Sequence, residues 1–291
     1  MTRRLLPGLL AVATALSPAA GSAAAAGERR PMIVAHRGGA LLWPENTLPA
    51  FDRAVAMGVE ILEFDMQVTA DDQLVVTHDG TVNASFCSAP DVAPAPVRAL
   101  TLAQMRTFDC GARHRDIYPT QQPVPGSSMP TPDELFARYK PTKALFYGEI
   151  KMPGANEGTV DPVAFAGLVA AAVKRAGLED RFILQSADYR AIDAMHEAAP
   201  RIRTCLLSPW RYEADVLEQA RQHHASCVLL RLEDADTVKV KRLQAAGVMV
   251  FSQVIDDEKS WAAYLARGDD ALFTNDPKGL IAFLRKHGRR K

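Results

Sequence analysis

From Met32 onward, strand-like and helix-like segments alternate to the end of the chain, and this rhythm restricts the fold more than any other feature of the sequence. The strand readings are short runs rich in β-branched, aliphatic and aromatic residues: Met32 to His36, Glu60 to Met66, Ala144 to Lys151, Phe182 to Ser186, Ile202 to Leu207, Cys227 to Leu232, Val248 to Gln253 and Ala271 to Thr274. Helical patterns follow near Thr47 to Met57, Thr131 to Tyr139, Val160 to Ala176, Tyr189 to Ala198, Glu213 to His223, Thr237 to Ala246, Lys259 to Ala266 and Lys278 to Lys286. Several begin beside Asn, Asp, Ser or Pro, residues that start helices. Eight strands, each followed by a helix, predict an α/β fold of the TIM (β/α)8 barrel type. An open doubly wound sheet uses the same alternation and is the structural alternative, with its ligand where the strand order reverses.

One stretch departs from the rhythm. Glu60 to Asp79 reads as two strands joined by Ala70-Asp71-Asp72-Gln73, a polar turn too short for a crossover helix, so the second strand returns antiparallel. With the turn centred near residues 71 and 72, His78 is expected opposite Asp65, to within a residue or two of register. Residues 80–130, rich in Pro, Ala and polar side chains, read as an insertion after the second barrel strand, with a short helix at Leu102 to Phe108 and a position suited to capping a site.

The N-terminus carries Arg3 and Arg4, an apolar stretch from Leu5 and small residues ending at Ala24-Ala25-Ala26, the three parts of a secretory signal over residues 1–26. Export to the periplasm or beyond the cell follows, with the barrel domain spanning residues 27–291. A membrane anchor is the rival reading; Pro7 and Pro18 interrupt the apolar stretch and no later span exists, so no stable membrane span is expected. A balance of 34 basic and 34 acidic residues argues against nucleic acid, which selects a concentrated basic face, and points to a small-molecule partner. The four cysteines lack the short paired spacings of a zinc site. Cys87 and Cys110 share one Pro-rich stretch and are expected to pair, whereas Cys205 and Cys227 lie in apolar strands and are expected to be buried free thiols.

The polar residues that interrupt apolar strand ends carry the chemistry. His36-Arg37-Gly38-Gly39 ends the first strand, Glu63 and Asp65 the second, and Glu149 and Lys151 the third, with His78-Asp79 on the returning strand. Alternate residues of a strand share a face, so Glu63 with Asp65, and Glu149 with Lys151, each project to one side. Three carboxylates without thiolate partners make a hard oxygen set suited to a divalent cation, Ca2+ or Mg2+. The bland reading is a surface charge pair on each strand, opposed by the apolar neighbours Ile61, Leu62, Leu145 and Phe146. His36 and His78 can divide acid and base roles in cleaving a phosphodiester, with Asp79 orienting one imidazole. Arg37 and Lys151 can grip phosphate oxygens, or simply neutralise the carboxylates. In Pro44-Glu45-Asn46-Thr47, Asn46 or Thr47 is read as a helix cap and Glu45 as a hydrogen-bonded organiser. Trp210, Tyr212 and Trp261 offer a platform for a choline-like cation, with packing the favoured role.

These motifs, HRGG, Pro44-Glu45-Asn46-Thr47 with Phe51, Glu63-x-Asp65, His78-Asp79 and Glu149-x-Lys151, resemble the signature of the glycerophosphodiester phosphodiesterase family. Weaker similarity continues through Met129-Pro130-Thr131-Pro132 with Glu134, Leu184-Gln185-Ser186 and Thr274-Asn275-Asp276-Pro277. The resemblance implies a TIM barrel with an insertion after the second strand, a divalent cation on Glu63, Asp65 and Glu149, His36 and His78 as the acid/base pair, and phosphate on Arg37 and Lys151. Phe251-Ser252-Gln253-Val254 replaces a Trp-Thr-Val-Asn string common in the family, and Asn275 stands before the usual Asp-Pro; both departures bear on alcohol selectivity. The expected activity is hydrolysis of glycerophosphodiesters to glycerol 3-phosphate and an alcohol. A lysophospholipase D and a non-catalytic binder of exported phosphodiesters are the rivals.

Overall fold

A computed structural model describes residues 30–152, 158, 160–207 and 215–291. The expected signal over residues 1–26, Trp210 and Tyr212 therefore lie outside the described residues. In chain order the elements are β1 (Met32–Ala35), α1 (Leu48–Ala56), β2 (Ile61–Val68), β3 (Leu74–Val76), α2 (Leu102–Met105), α3 (Pro132–Tyr139), β4 (Leu145–Ile150), α4 (Pro162–Ala176) and β5 (Phe182–Ser186). They continue with α5 (Tyr189–Ala198), β6 (Arg203–Leu206), α6 (Val216–Gln222), β7 (Cys227–Leu230), α7 (Thr237–Ala245), β8 (Met249–Val254), α8 (Glu258–Arg267), β9 (Ala271–Thr274) and α9 (Pro277–Lys286).

Strands β1, β2 and β4 to β9 pair in parallel around a closed ring: β1 meets β2 through Val34 and Ile61, and meets β9 through Ala35 and Thr274. Closure excludes the open doubly wound sheet and gives the TIM barrel. Strand β2 is longer than its neighbour β1, which pairs only with Ile61 and Leu62. Its far end, Met66 to Val68, takes β3 antiparallel instead, so the hairpin rises from the C-terminal rim of the barrel.

Alternation along the strands sorts the side chains. Val34, Ile61, Tyr147, Ile183, Phe251 and Phe273 fill the barrel interior, while Leu62, Phe64, Phe146, Phe182 and Leu184 face outward and pack under the helices. The helices begin on polar caps: Asp161, Asp188, Asp215, Asp236, Asp257 and Asp276 each accept a first-turn backbone N–H. Gly148 in β4 has no room for a side chain, since a Cβ there would fall 2.7 Å from the Phe182 ring and 2.8 Å from Met66.

Between β3 and α3, the chain packs a cluster of its own around Val82, Phe86, Val97, Leu100, Met105 and Phe108. The expected short helix is present over Leu102–Met105, opened by a capping box between Thr101 and Gln104. Cys87 and Cys110 are joined, as expected, with Cα atoms 4.0 Å apart. The expectation of free thiols at Cys205 and Cys227 is overturned: the two are bonded, and free cysteines are absent among the described residues. Parallel pairing explains it, because Cys205 and Cys227 are register partners on adjacent strands, both directed into the barrel, with Cα atoms 4.5 Å apart. Trp261 is buried against Phe283 and donates its indole N–H to the Ile255 carbonyl, so it packs the core.

Candidate active site

The C-terminal mouth of the barrel collects the polar groups that interrupt the strands. Glu63 and Asp65 continue the inward row begun by Ile61, and Glu149 continues that of Tyr147. Asp65 and Glu149 are register partners, and Gln185 is the partner of Glu149 on the next strand. Glu63, Asp65 and Glu149 are all buried, and each offers an oxygen within 4.8 Å of the others. Burial, then the other two carboxylates, push Glu63 well above the usual carboxylate range. Burial also raises Glu149, although Lys151 opposes it, whereas Lys151 and Arg37 overcome the burial of Asp65 and hold it far below its ordinary value.

Each carboxylate is also oriented. Glu63 accepts the Arg37 backbone N–H at 2.7 Å, Asp65 accepts Asn46 Nδ2–H at 2.8 Å, and Glu149 accepts Gln185 Nε2–H at 3.0 Å. Lys151 Nζ stands 2.8 Å from Glu149 and 3.3 Å from Asp65. Asp65 Oδ1 is nevertheless buried without a hydrogen bond, as is Gln185 Oε1. Three crowded carboxylates, one with an unsatisfied oxygen, and no sulfur donor among them fit a hard divalent cation.

A one-turn helix at His36–Gly38 follows β1 and aims two functional groups into the mouth. Arg37 adopts a left-handed φ of 52°, a strained conformation for a residue with a Cβ, and Gly38 and Gly39 continue at 81° and 103°. Gly38 also has no room for a side chain, since a Cβ there would lie 2.9 Å from Ala50 Cβ. This turn delivers the Arg37 side chain to Asp65, with Nε 3.1 Å away, and to Glu45, with Nη1 3.1 Å away. Arg37 Nε is buried in this ion pair with Asp65 and makes no further hydrogen bond to protein.

The two histidines have different partners. His36 Nδ1 is 2.7 Å from Asn275 Oδ1, and Asn275 donates both its backbone N–H and its Nδ2–H to Asp256. Those two bonds fix the amide so that its oxygen accepts from His36 Nδ1–H, leaving the Nε2 lone pair toward the carboxylates, 3.9 Å from Glu63. Burial, then Arg37, push the His36 imidazole down to about 3. His78 Nδ1 is instead 2.7 Å from Asp79 Oδ1, and its side chain is about a third exposed. The hydrogen bond from His78 outweighs burial and holds Asp79 down at about 2.

All seven residues singled out from sequence thus meet at one mouth: Glu63, Asp65 and Glu149, His36 and His78, Arg37 and Lys151. The register falls within the expected range, one residue from its centre: Met66 pairs Val76, and Thr77, not His78, donates to the Asp65 carbonyl. The slip belongs to the turn, where Asp72 takes a positive φ of 55° and Thr69 rather than Ala70 closes the loop onto Gln73. The capping expectation for α1 holds for Thr47 in position only: Thr47 is the N-cap, but its Oγ1 donates to the Pro44 carbonyl instead of accepting a first-turn N–H, and Asn46 turns its side chain to Asp65. A positive φ of 58°, which Asn tolerates, points Asn46 away from the helix. Sequence reasoning left Gln185 and Asn275 as bare similarities and did not reach Asp256, Arg115 or Gln121. Gln121 anchors the insertion by donating to the Ala40 and Trp43 carbonyls, at 2.6 and 2.8 Å.

The profile of the glycerophosphoryl diester phosphodiesterase family matches residues 36–279. A glycerophosphodiester phosphodiesterase of Caldanaerobacter subterraneus is 26% identical over 88% of this chain and 99% of its own length. A Silicibacter pomeroyi structure assigned to the same family superposes with a TM-score of 0.79 at 23% identity, covering 89% of this chain and 95% of that one. An Oleispira antarctica phosphodiesterase, solved with the product sn-glycerol-3-phosphate, gives a TM-score of 0.71 at 20% identity over 88% of this chain and 97% of that one. The match begins at His36 and takes in the whole mouth and every barrel strand but the first, so the chain belongs to the glycerophosphoryl diester phosphodiesterase family and is a phosphodiesterase built on a TIM barrel.

Proposed function

We propose that the protein hydrolyses small glycerophosphodiesters, of the glycerophosphocholine and glycerophosphoethanolamine kind, to glycerol 3-phosphate and an alcohol. One observation carries the reading: a buried carboxylate trio, two cations and two imidazoles with opposite kinds of partner converge on a single mouth. The Oleispira phosphodiesterase, of the same fold, was solved with sn-glycerol-3-phosphate as its product, which supports a small-molecule substrate.

Glu63, Asp65 and Glu149 would hold Ca2+ or Mg2+, which when bound withdraws charge from the phosphoryl oxygens. Arg37 and Lys151 bind the non-bridging oxygens and share the charge that grows on them. His36, neutral and with its Nε2 lone pair toward the carboxylates, takes the proton from the attacking glycerol 2-hydroxyl as the new P–O bond forms. His78, backed by a carboxylate at Nδ1, gives a proton to the departing alcohol oxygen as the old P–O bond breaks. Water then opens the cyclic phosphate with the two histidines in reversed roles, restoring both protons. A product-resolved assay on a headgroup panel, with and without chelator, tests the reading. Turnover of glycerophosphodiesters that stops on chelation and fails on a diester lacking the 2-hydroxyl is expected, and full turnover in the chelated enzyme rejects the cation.

A lysophospholipid substrate is favoured by a second observation. The exposed large apolar residues Ile117, Met152 and Leu232 lie in the segments that follow barrel strands, at the end where the site opens. Matched lysolipids in the same assay decide between the two, preference for the acylated substrate supporting the second. Action outside the cytoplasm is part of the proposal, supported by two disulfides and the signal-like N-terminus.

A further inference from the structure

The insertion reaches the site through one side chain. Arg115 is largely buried and places Nη1 2.6 Å from Glu45 Oε1 and Nη2 3.4 Å from Asp79 Oδ2. Its guanidinium also lies over the Phe86 ring, 4.7 Å from the centroid, and its backbone N–H donates to Gln121 at 3.2 Å. An aromatic face and a pair of carboxylates therefore fix the side chain, and Gln121 holds the backbone that carries it. Those two carboxylates are the partners of two site groups. Glu45 Oε1, the oxygen that Arg115 approaches, is also the acceptor for Arg37 Nη1, and Asp79 is the acceptor for His78 Nδ1. Glu45 and Asp79 come from separate segments of the chain, one before α1 and the other after β3.

We propose that Arg115 is a positioning residue of the reaction: by bridging Glu45 and Asp79 it sets the placement of the Arg37 guanidinium and of the His78 imidazole together. The inference rests on the roles given above to Arg37 and His78. It makes the insertion part of the catalytic apparatus, since an arginine 70 residues from Glu45 and 36 from Asp79 in sequence joins a phosphate grip to a proton donor. A lysine has one charged point where arginine has a fork, so it can serve one carboxylate but not both.

The experiment compares Arg115→Ala, Arg115→Lys and Arg106→Ala, the last removing an exposed ion pair to Glu134 that also ties the insertion to the barrel. Three quantities are read: melting temperature, affinity for inorganic phosphate without substrate, and kcat on glycerophosphocholine. Arg115→Ala is expected to weaken phosphate binding about tenfold, the scale of one charge-assisted hydrogen bond, and to lower kcat about tenfold to a hundredfold through misplacement of His78. Arg115→Lys should recover phosphate affinity, through the shorter contact to Glu45, and leave kcat low. Arg106→Ala should change neither quantity. Values for Arg115→Ala within about twofold of the parent, smaller than one such hydrogen bond, overturn the proposal, as do equal losses in Arg106→Ala. Failure of the parent to turn over any diester would count against the proposed function, while the phosphate arm would still judge Arg115.

Discussion

The two imidazoles illustrate how far a residue's partner decides its chemistry. His36 faces an amide oxygen and His78 a carboxylate, at the same 2.7 Å, so one ring is held neutral with a lone pair turned to the mouth and the other is backed by a full negative charge. A stability consequence follows for Asp79. Its ordinary value is 3.8, and in the folded protein the bond from His78 lowers it to about 2, so the native state binds this proton less readily than the unfolded chain. The stabilisation is complete above pH 3.8 and is lost as the pH falls toward 2. Thermal melts from pH 5 to pH 2 should therefore show a smaller acid-induced fall in Asp79→Asn than in the parent, and parallel curves would contradict the assignment. His36, Glu63 and the other strand-end groups were legible in sequence because a charge in an apolar strand is conspicuous. Asn275 was not, because its meaning lies in a contact across 239 residues of chain, and Arg115 was not, because nothing in a Pro-rich insertion marks which arginine turns inward.

Secondary-structure elements were the most readable level. Every strand of the barrel was expected within a few residues of where it lies, since alternation of apolar faces and the caps of the following helices are both local signals. What remained hidden was pairing. Cysteines in two apolar strands read equally well as free thiols, and only the register that sets Cys205 beside Cys227 distinguishes the cases. Register also makes β4 sensitive at Gly148, which sits directly before Glu149 against Phe182 and Met66. Gly148→Ala should cost about 1–3 kcal/mol, the usual range for overpacking, and should lower activity by pushing Glu149 and Lys151 out of line. A denaturant melt together with kcat measures both, and a variant with parental values would show that β4 yields without consequence.

For the molecule as a whole, the barrel gathers like charges that would repel one another in isolation. The burial, and after it the crowding, that raise Glu63 and Glu149 are a cost to the cation-free fold, relieved when a dication binds. Adding Ca2+ or Mg2+ at a hundredfold excess over its dissociation constant should stabilise the fold by about 2.7 kcal/mol. Differential scanning calorimetry should register this as a higher melting temperature in the parent and little change in Asp65→Asn. Equal shifts in both proteins would place the cation elsewhere. The net charge gave no hint of this local excess, because 34 basic residues balance 34 acidic ones over the full chain.

The contact between His36 and Asn275 joins the first strand of the ring to the last. A polypeptide stopped short of β9 would still carry the acidic trio, both imidazoles and both cations proposed to hold phosphate, yet the leading imidazole would lack the amide oxygen that sets its tautomer. On the proposed reading, proton transfer at this imidazole therefore waits for the seam to seal.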